Sequence, residues 1–499
     1  MNLLDLALQD PDALAVHDGT RSRSWAELVD HAYRVAHLLR DELGLQPNDH
    51  AAILMGNRAE YPEILLGALF AGIWITPINW HLSDEEVRYM LRDSTARVVF
   101  ADPKLAEKVD APGVPCLVAD GSFEKALSTV SSAPLSLDDP VGGTMVYTSG
   151  TSGQPKGVRR FRPDTLRDAI ATWATVGEVF GLDGSGPHLL TGPMYHAAPG
   201  LYALYDLING APLIMMPRWD AATALELMTA HSIRHTHMVP TMFVRLLRLP
   251  EDQRNAFDPS TLDLVLHGAA PCVPAVKRAM IDWWGRVLVE YWGASEGGAY
   301  TLINSEQWLA RPGSVGQAIR SFEVFAANEE GNRLPANAPG ILHCRHRTRT
   351  DVFEYHRAPD KTAAAFVEPG VFTVGDLGRV DPDGWVYLEG RRTDLILSGG
   401  VNVYPAEVQA VLSEHPAVSD AAIFGVTDPE WGEAVHALVE VADSTKADPA
   451  LAEELIDYAR ARLAHYKVPR RIDLTDTLPR KPNGKLRLEE IRQNYSPST

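Results

Sequence analysis

Tyr147-Thr148-Ser149-Gly150-Thr151-Ser152-Gly153-Gln154-Pro155-Lys156-Gly157 is the densest run of small polar residues in the chain. The apolar residues 141–147 that lead into it read as a strand, so the run is a loop leaving a strand end. Glycines let backbone N–H groups close on an anion, hydroxyls add donors, and Lys156 adds a positive charge. That combination suits a phosphate chain. The run is not a Gly-x-x-x-x-Gly-Lys-Ser/Thr loop: Gly150 is followed by Gly153, and Lys156 by Gly157. A short Ser/Thr/Gly run alone is as readily a plain surface loop; the length of this one and its Pro-Lys-Gly ending set it apart.

Upstream, helical and strand patterns alternate. Ser24-Trp25-Ala26-Glu27 and Ser83-Asp84-Glu85-Glu86 each place a carboxylate three residues after a serine, the spacing of a capping box that opens a helix. Residues 51–55, 73–78 and 97–101 are short apolar runs with strand character, and residues 63–71 read as a buried helix. Such alternation predicts layered α/β structure with parallel strands. Residues 128–140, rich in Ser, Pro and Asp, read as a surface loop. Downstream, the turn Asp381-Pro382-Asp383-Gly384 and a strand at 385–388 precede a boundary near 391–394. Beyond it the sequence predicts a Gly399-Gly400 turn, a helix at 405–412, strands at 418–424 and 435–441, and a helix at 451–463. That tail is long enough for one small domain.

Composition excludes several classes. The 499 residues hold 46 Lys+Arg against 65 Asp+Glu, a formal charge of −19, which is the wrong sign for a general nucleic-acid binder. Cys116, Cys272 and Cys344 are too few and too far apart for a disulfide scaffold and fit a reducing compartment. The N-terminus has no basic region like that of a secretory signal, and the longest apolar run, 64–75, is too short to span a bilayer. A cytoplasmic location is the expectation. His343-Cys344-Arg345-His346 fits no usual zinc spacing, because strand alternation puts only Cys344 and His346 on one face.

The loop at 148–157 resembles the signature loop of the adenylate-forming superfamily, which includes acyl-CoA synthetases, luciferase-like enzymes and peptide-synthetase adenylation domains. Further motifs follow in that family's order, and the fatty-acyl-CoA synthetase branch is most similar. The resemblance implies a large N-terminal AMP-binding domain of layered α/β subdomains over residues 1–392. It also implies a small, mobile α+β C-terminal domain over 393–499 that carries a catalytic lysine. It implies that Thr148, Ser149, Gly150, Thr151, Ser152, Gly153 and Lys156 hold the phosphates, with Thr148 also near Mg²⁺. Pro193-Met194-Tyr195-His196 places His196 near the substrate carboxylate. His267-Gly268-Ala269-Ala270-Pro271 is similar to the segment lining the adenine pocket.

Trp292-Gly293-Ala294-Ser295-Glu296 resembles Tyr-Gly-x-Thr-Glu, in which the aromatic ring stacks on adenine and the Glu holds Mg²⁺. Here Trp292 stands for Tyr and Ser295 for Thr. Val374-Gly375-Asp376 resembles Thr-Gly-Asp, whose Asp grips the ribose hydroxyls; Val374 lacks the usual side-chain hydroxyl. Gly390-Arg391-Arg392-Thr393-Asp394 is similar to Gly-Arg-x-Asp-Asp, with Arg391 on ribose or phosphate and Thr393 at the interdomain hinge. Ser398, Gly399 and Gly400 would line a narrow pantetheine channel. Pro479-Arg480-Lys481-Pro482-Asn483-Gly484-Lys485 is similar to the last motif, with Lys485 the catalytic lysine.

The implied function is an AMP-forming acyl-CoA synthetase acting on a fatty acid or a bulky ring-bearing, steroid-type acid with ATP, Mg²⁺ and coenzyme A. The alternatives are adenylation with delivery to a carrier protein, and a non-catalytic nucleotide-binding module. The resemblance further implies walls of the acid pocket at 195–204, 236–243 and 297–302, mostly apolar or small residues, and a homodimer.

Overall fold

The structure, a computed structural model, describes residues 1–148, 155–391, 394–398, 401–428, 432–442, 448–463, 465–481 and 484–495; for Arg391, Leu397, Val401, Asn402 and Gly432 only the backbone is described. Ser149, Gly150, Thr151, Ser152, Gly153, Thr393, Gly399 and Gly400 therefore lie outside the described residues.

Both capping boxes form. Ser24 Oγ accepts from the Glu27 N–H at 3.3 Å while Glu27 Oε2 accepts from the Ser24 N–H at 2.8 Å, opening the helix Trp25–His37. Ser83 and Glu86 do the same for Asp84–Asp93. The buried helix is Glu60–Phe70 and starts a turn earlier than the apolar pattern suggests. Glu60 and Glu63 are buried in it, paired with Arg58 (2.9 Å) and Arg23 (2.6 Å). A paired carboxylate of this kind can sit in a core that an unpaired one could not.

Three sheets organise the described residues. In the largest, Leu14–His17, Leu213–Met215, His188–Leu190, His235–Met238, Leu264–His267 and Leu288–Ala294 run parallel as consecutive neighbours. From Gly298–Asn304 outward the same sheet turns antiparallel, through Gly316–Ala318, Trp385–Arg391, Val371–Val380, Gly340–His346 and Phe322–Ala327. A second sheet carries His50–Leu54, Trp74–Pro77 and Ala96–Ala101 in parallel and extends through Gly143–Thr148 and Lys156–Arg160 to Phe353–Tyr355. The third sheet draws all its strands from residues 396–475, its longest pair being Val418–Asp428 against Gly432–Val441.

Helices cover both faces of the large parallel sheet. On one face Met242, Phe243 and Trp284 pack over Val265 and Met238. On the other, Tyr202 and Tyr205 pack with Phe180 over Leu264, Leu266 and Tyr291. Parallel strands buried on both faces leave their carboxyl ends as the open crevice, and the site residues gather there.

Candidate active site

Thr148 ends one strand and Lys156 begins the next, and the two are directly paired in register at the mouth of the site. Two tyrosines fix that mouth: Tyr147 Oη donates to Asp93 at 2.6 Å, and Tyr89 Oη donates to the Pro155 carbonyl at 2.9 Å. On the far side of Lys156–Arg160 lies Phe353–Tyr355. Its Tyr355 sets its ring under the Lys156 ammonium, 4.8 Å from Nζ to the ring centre. Tyr355 Oη also donates to Glu296 Oε1 at 3.0 Å. One aromatic residue thus joins the phosphate-loop lysine to the carboxylate implied for the metal. Burial and the Glu296 charge both push the Tyr355 phenol up, so it stays a donor.

Gly268 leaves the end of Leu264–His267 at a point where a Cβ would sit 2.6 Å from the Tyr291 carbonyl oxygen and 2.7 Å from its ring. Only glycine fits. Ala269 follows at φ +64°, a left-handed conformation uncommon outside glycine, and the pair presses the 268–271 segment against Leu288–Ala294. Beneath it, Lys277 is wholly buried and donates to Glu290 at 2.6 Å, tying the helix Pro274–Trp284 to the same strand. Trp292 is buried against Tyr300, and its indole N–H donates to Asp376 Oδ2 at 2.7 Å. The tryptophan that stands where tyrosine is usual in the resembling motif therefore orients the Asp376 carboxylate. Asp376 in turn pairs in register with Arg391.

His196 caps the helix Ala197–Ile208 by position but makes no side-chain capping bond. Its Nε2 is buried without a hydrogen-bond partner among the described residues. Burial, then the charges of Lys485, His81 and Lys481, push the imidazole down to about 4, so it is neutral at physiological pH. Those lysines belong to the far tail. The described residues of this tail segment pair with one another: Arg480 and Leu486 form a bridge, Lys481 N–H donates to the Lys485 carbonyl at 2.7 Å, and Arg480 pairs with Asp420. Gly484, at φ +80°, seats where a Cβ would stand 2.8 Å from Thr241 Oγ1 and 3.3 Å from Val239 Cγ2. Arg248 and Glu440, 3.0 Å apart, add a second tie between front and tail. Ser398 is buried at the end of Ile396–Ser398.

The described contacts link Thr148 and Lys156 through Tyr355 to Glu296, join Trp292 to Asp376, and bring the Lys485 charge within reach of His196. Tyr355 and the Trp292–Asp376 bond were not foreseen. Tyr355 is far from Lys156 in sequence, and only the pairing of its strand with Lys156–Arg160, Tyr355 opposite Val158, brings the two together. For Mg²⁺ the donors fit: Glu296 and Thr148 offer the hard oxygens that ion prefers. Among the described residues no group of three His, Cys, Asp or Glu is placed to hold a metal unaided. An ion bound through one or two protein oxygens plus phosphates needs no such group.

The chain matches the family model for AMP-binding enzyme over residues 5–351 and that for the AMP-binding enzyme C-terminal domain over 407–485. It belongs to the AMP-binding enzyme family, the adenylate-forming ligases. Among known proteins it is 32% identical to a feruloyl-CoA synthase of Amycolatopsis sp, over 98% of this chain and 97% of that one. It is also 32% identical to the fatty acid–[acyl-carrier-protein] ligase ScoC of Streptomyces coeruleorubidus, over 98% of this chain and 95% of that one. Among solved structures it is similar to ATP-bound MatB from Rhodopseudomonas palustris, with a TM-score of 0.85, 27% identity and 99% of each chain covered. No helix among the described residues is long and apolar enough to cross a membrane.

Proposed function

We propose that the protein is an AMP-forming acid–CoA ligase that turns a hydrophobic carboxylic acid into its CoA thioester through an acyl-adenylate. The observation that carries this reading is the seating of the Lys485 segment against Val239 and Thr241, close enough that its charge acts on His196. A carboxylate cannot expel an oxide, so it must first be given a better leaving group. In the first step a carboxylate oxygen attacks the α-phosphorus of ATP, the bond to pyrophosphate breaks, and the acyl-AMP anhydride forms. The α-phosphate gathers negative charge as it does so, and positioned cations are what the step needs.

Lys485 supplies one at the α-phosphate. Lys156 and the 148–157 loop hold the β- and γ-phosphates, and Asp376, held by Trp292, grips the ribose. Glu296 and Thr148 are the residues to hold Mg²⁺, which when bound neutralises phosphate charge. Neutral His196 and the open helix N-terminus beside it orient the incoming carboxylate. In the second step the CoA thiol sulfur attacks the acyl carbon, AMP leaves, and the thiol proton is lost. The same tail, turned about Thr393, would withdraw Lys485 and present the Ser398–Gly400 segment to the thiol; the division at 392/393 is part of this proposal.

Transfer to a carrier protein is the second reading, favoured by the likeness to ScoC. One experiment separates the two. The enzyme is incubated with ATP, Mg²⁺ and a panel of hydrophobic acids, with CoA or with a holo acyl carrier protein, and AMP release and the thioester are measured by mass spectrometry. CoA-dependent AMP release with an acyl-CoA product is expected. Release that requires the carrier protein would replace the first reading with the second.

A further inference from the structure

The acid's tail, on the reading just given, has to leave His196 away from the nucleotide. The apolar layer that begins there lies between the helix Ala197–Ile208 and the sheet. It is soon stopped. Tyr202 stacks on the His237 imidazole, ring centres 5.4 Å apart at 23°. It meets Tyr291 edge-on at 5.1 Å and Phe180 edge-on at 5.1 Å. His237 Nε2 and Tyr291 Oη are hydrogen-bonded at 3.0 Å, which locks two of the rings together across neighbouring layers of the sheet. Tyr202 and Tyr291 are each 6% exposed and His237 3%. Burial pushes the imidazole down to about 3, so the cluster is neutral and apolar in character.

The wall has two sides. Tyr202 lies six residues into the helix from His196, about 9 Å along its axis. That distance matches the length of a single ring or a short chain. Beyond the rings, at the amino ends of the strands, lies a cleft of about 490 Å³ whose lining includes Phe180, Leu264, Val289 and Leu302. Those four residues also pack in the cluster that holds Tyr202 and Tyr291. The rings therefore stand between the reacting end of the site and that cleft.

We propose that Tyr202, His237 and Tyr291 close the acid channel and restrict the enzyme to compact acids, a single ring or a short branched chain, excluding long unbranched fatty acids. The residues are specificity determinants, and the proposal rests on the acid–CoA ligase reading. The test is acid-dependent ATP–pyrophosphate exchange with benzoate, cinnamate, hexanoate, dodecanoate and palmitate. The wild type should favour the compact acids by at least tenfold in kcat/KM over palmitate. Tyr202→Ala and Tyr291→Ala, checked for folding by circular dichroism and for ATP binding by calorimetry, should move the preference at least tenfold toward the longer acids. Tyr291→Phe keeps the ring and should keep the wild-type profile. A wild type that activates palmitate as well as the compact acids would overturn the inference while leaving the ligase reading intact. So would folded alanine variants with an unchanged profile. Exchange with no acid at all would overturn the ligase reading and this inference with it.

Discussion

At the scale of the residue, the proposed role of Lys485 in the first chemical step is open to a direct test. Lys485→Ala should lower acyl-AMP formation by two to three orders of magnitude and largely spare thioester formation from supplied acyl-AMP, since a lost charge-stabilising donor costs about that much. Separate assays of the two half-reactions check this, and an equal fall in both would remove Lys485 from its role. An independent readout exists. Lys485 contributes to holding the His196 imidazole near 4, so in the variant that imidazole should titrate higher, as followed by NMR. Tyr355→Phe removes the hydroxyl that donates to Glu296 but keeps the ring under Lys156. Calorimetry should show ATP binding weakened about tenfold or more in the presence of Mg²⁺ and little changed without it, because a hydrogen bond to a charged group is worth about 1.5–3 kcal/mol. Equal weakening in both conditions would place Tyr355 with the nucleotide rather than with Glu296.

At the scale of the element, the segment that carries Lys485 works by fit. Gly484→Val puts a β-branched residue at φ +80° and a Cβ into Thr241. The left-handed conformation alone costs about 1–2 kcal/mol for a side-chain-bearing residue. Pyrophosphate exchange should fall at least tenfold, with thioester formation from acyl-AMP retained; unchanged exchange would mean the seating of this segment is irrelevant to adenylation. Elements of this kind show how much can be read before folding. The capping boxes at Ser24 and Ser83, the strand leading into the phosphate loop and the strand before Gly268 are local patterns, and the structure has them. What could not be read is pairing at a distance. The arginines that pair with buried Glu60 and Glu63 are not marked in the chain, Trp292 looks like a stacking ring until Asp376 arrives, and Tyr355 is ordinary until its strand lies beside Lys156–Arg160. A contact energy between residues tens or hundreds of positions apart leaves no periodic trace in the chain.

The whole molecule holds several histidines neutral by burial. His50 and His237 are pushed down to about 3 and His196 to about 4, against 6.5 when unfolded. The unfolded chain takes up protons below pH 6.5 that these folded sites refuse, so their contribution is complete above 6.5 and is lost as pH falls toward 3–4. His31 and His235 are raised by Glu63 and by Asp206 and act in the opposite sense. Three strongly lowered groups outweigh them, and urea midpoints should fall steadily between pH 6.5 and 4.5 at constant m-value. A flat or rising midpoint would contradict the burial of these rings. The larger claim is that front and tail close on ATP to make an acyl-adenylate before any thiol takes part. Purified enzyme given ATP, Mg²⁺, radiolabelled pyrophosphate and a panel of hydrophobic acids, with CoA left out, should return label to ATP only when an acid is present. Label that appears only after CoA is added, or with no acid at all, would contradict it.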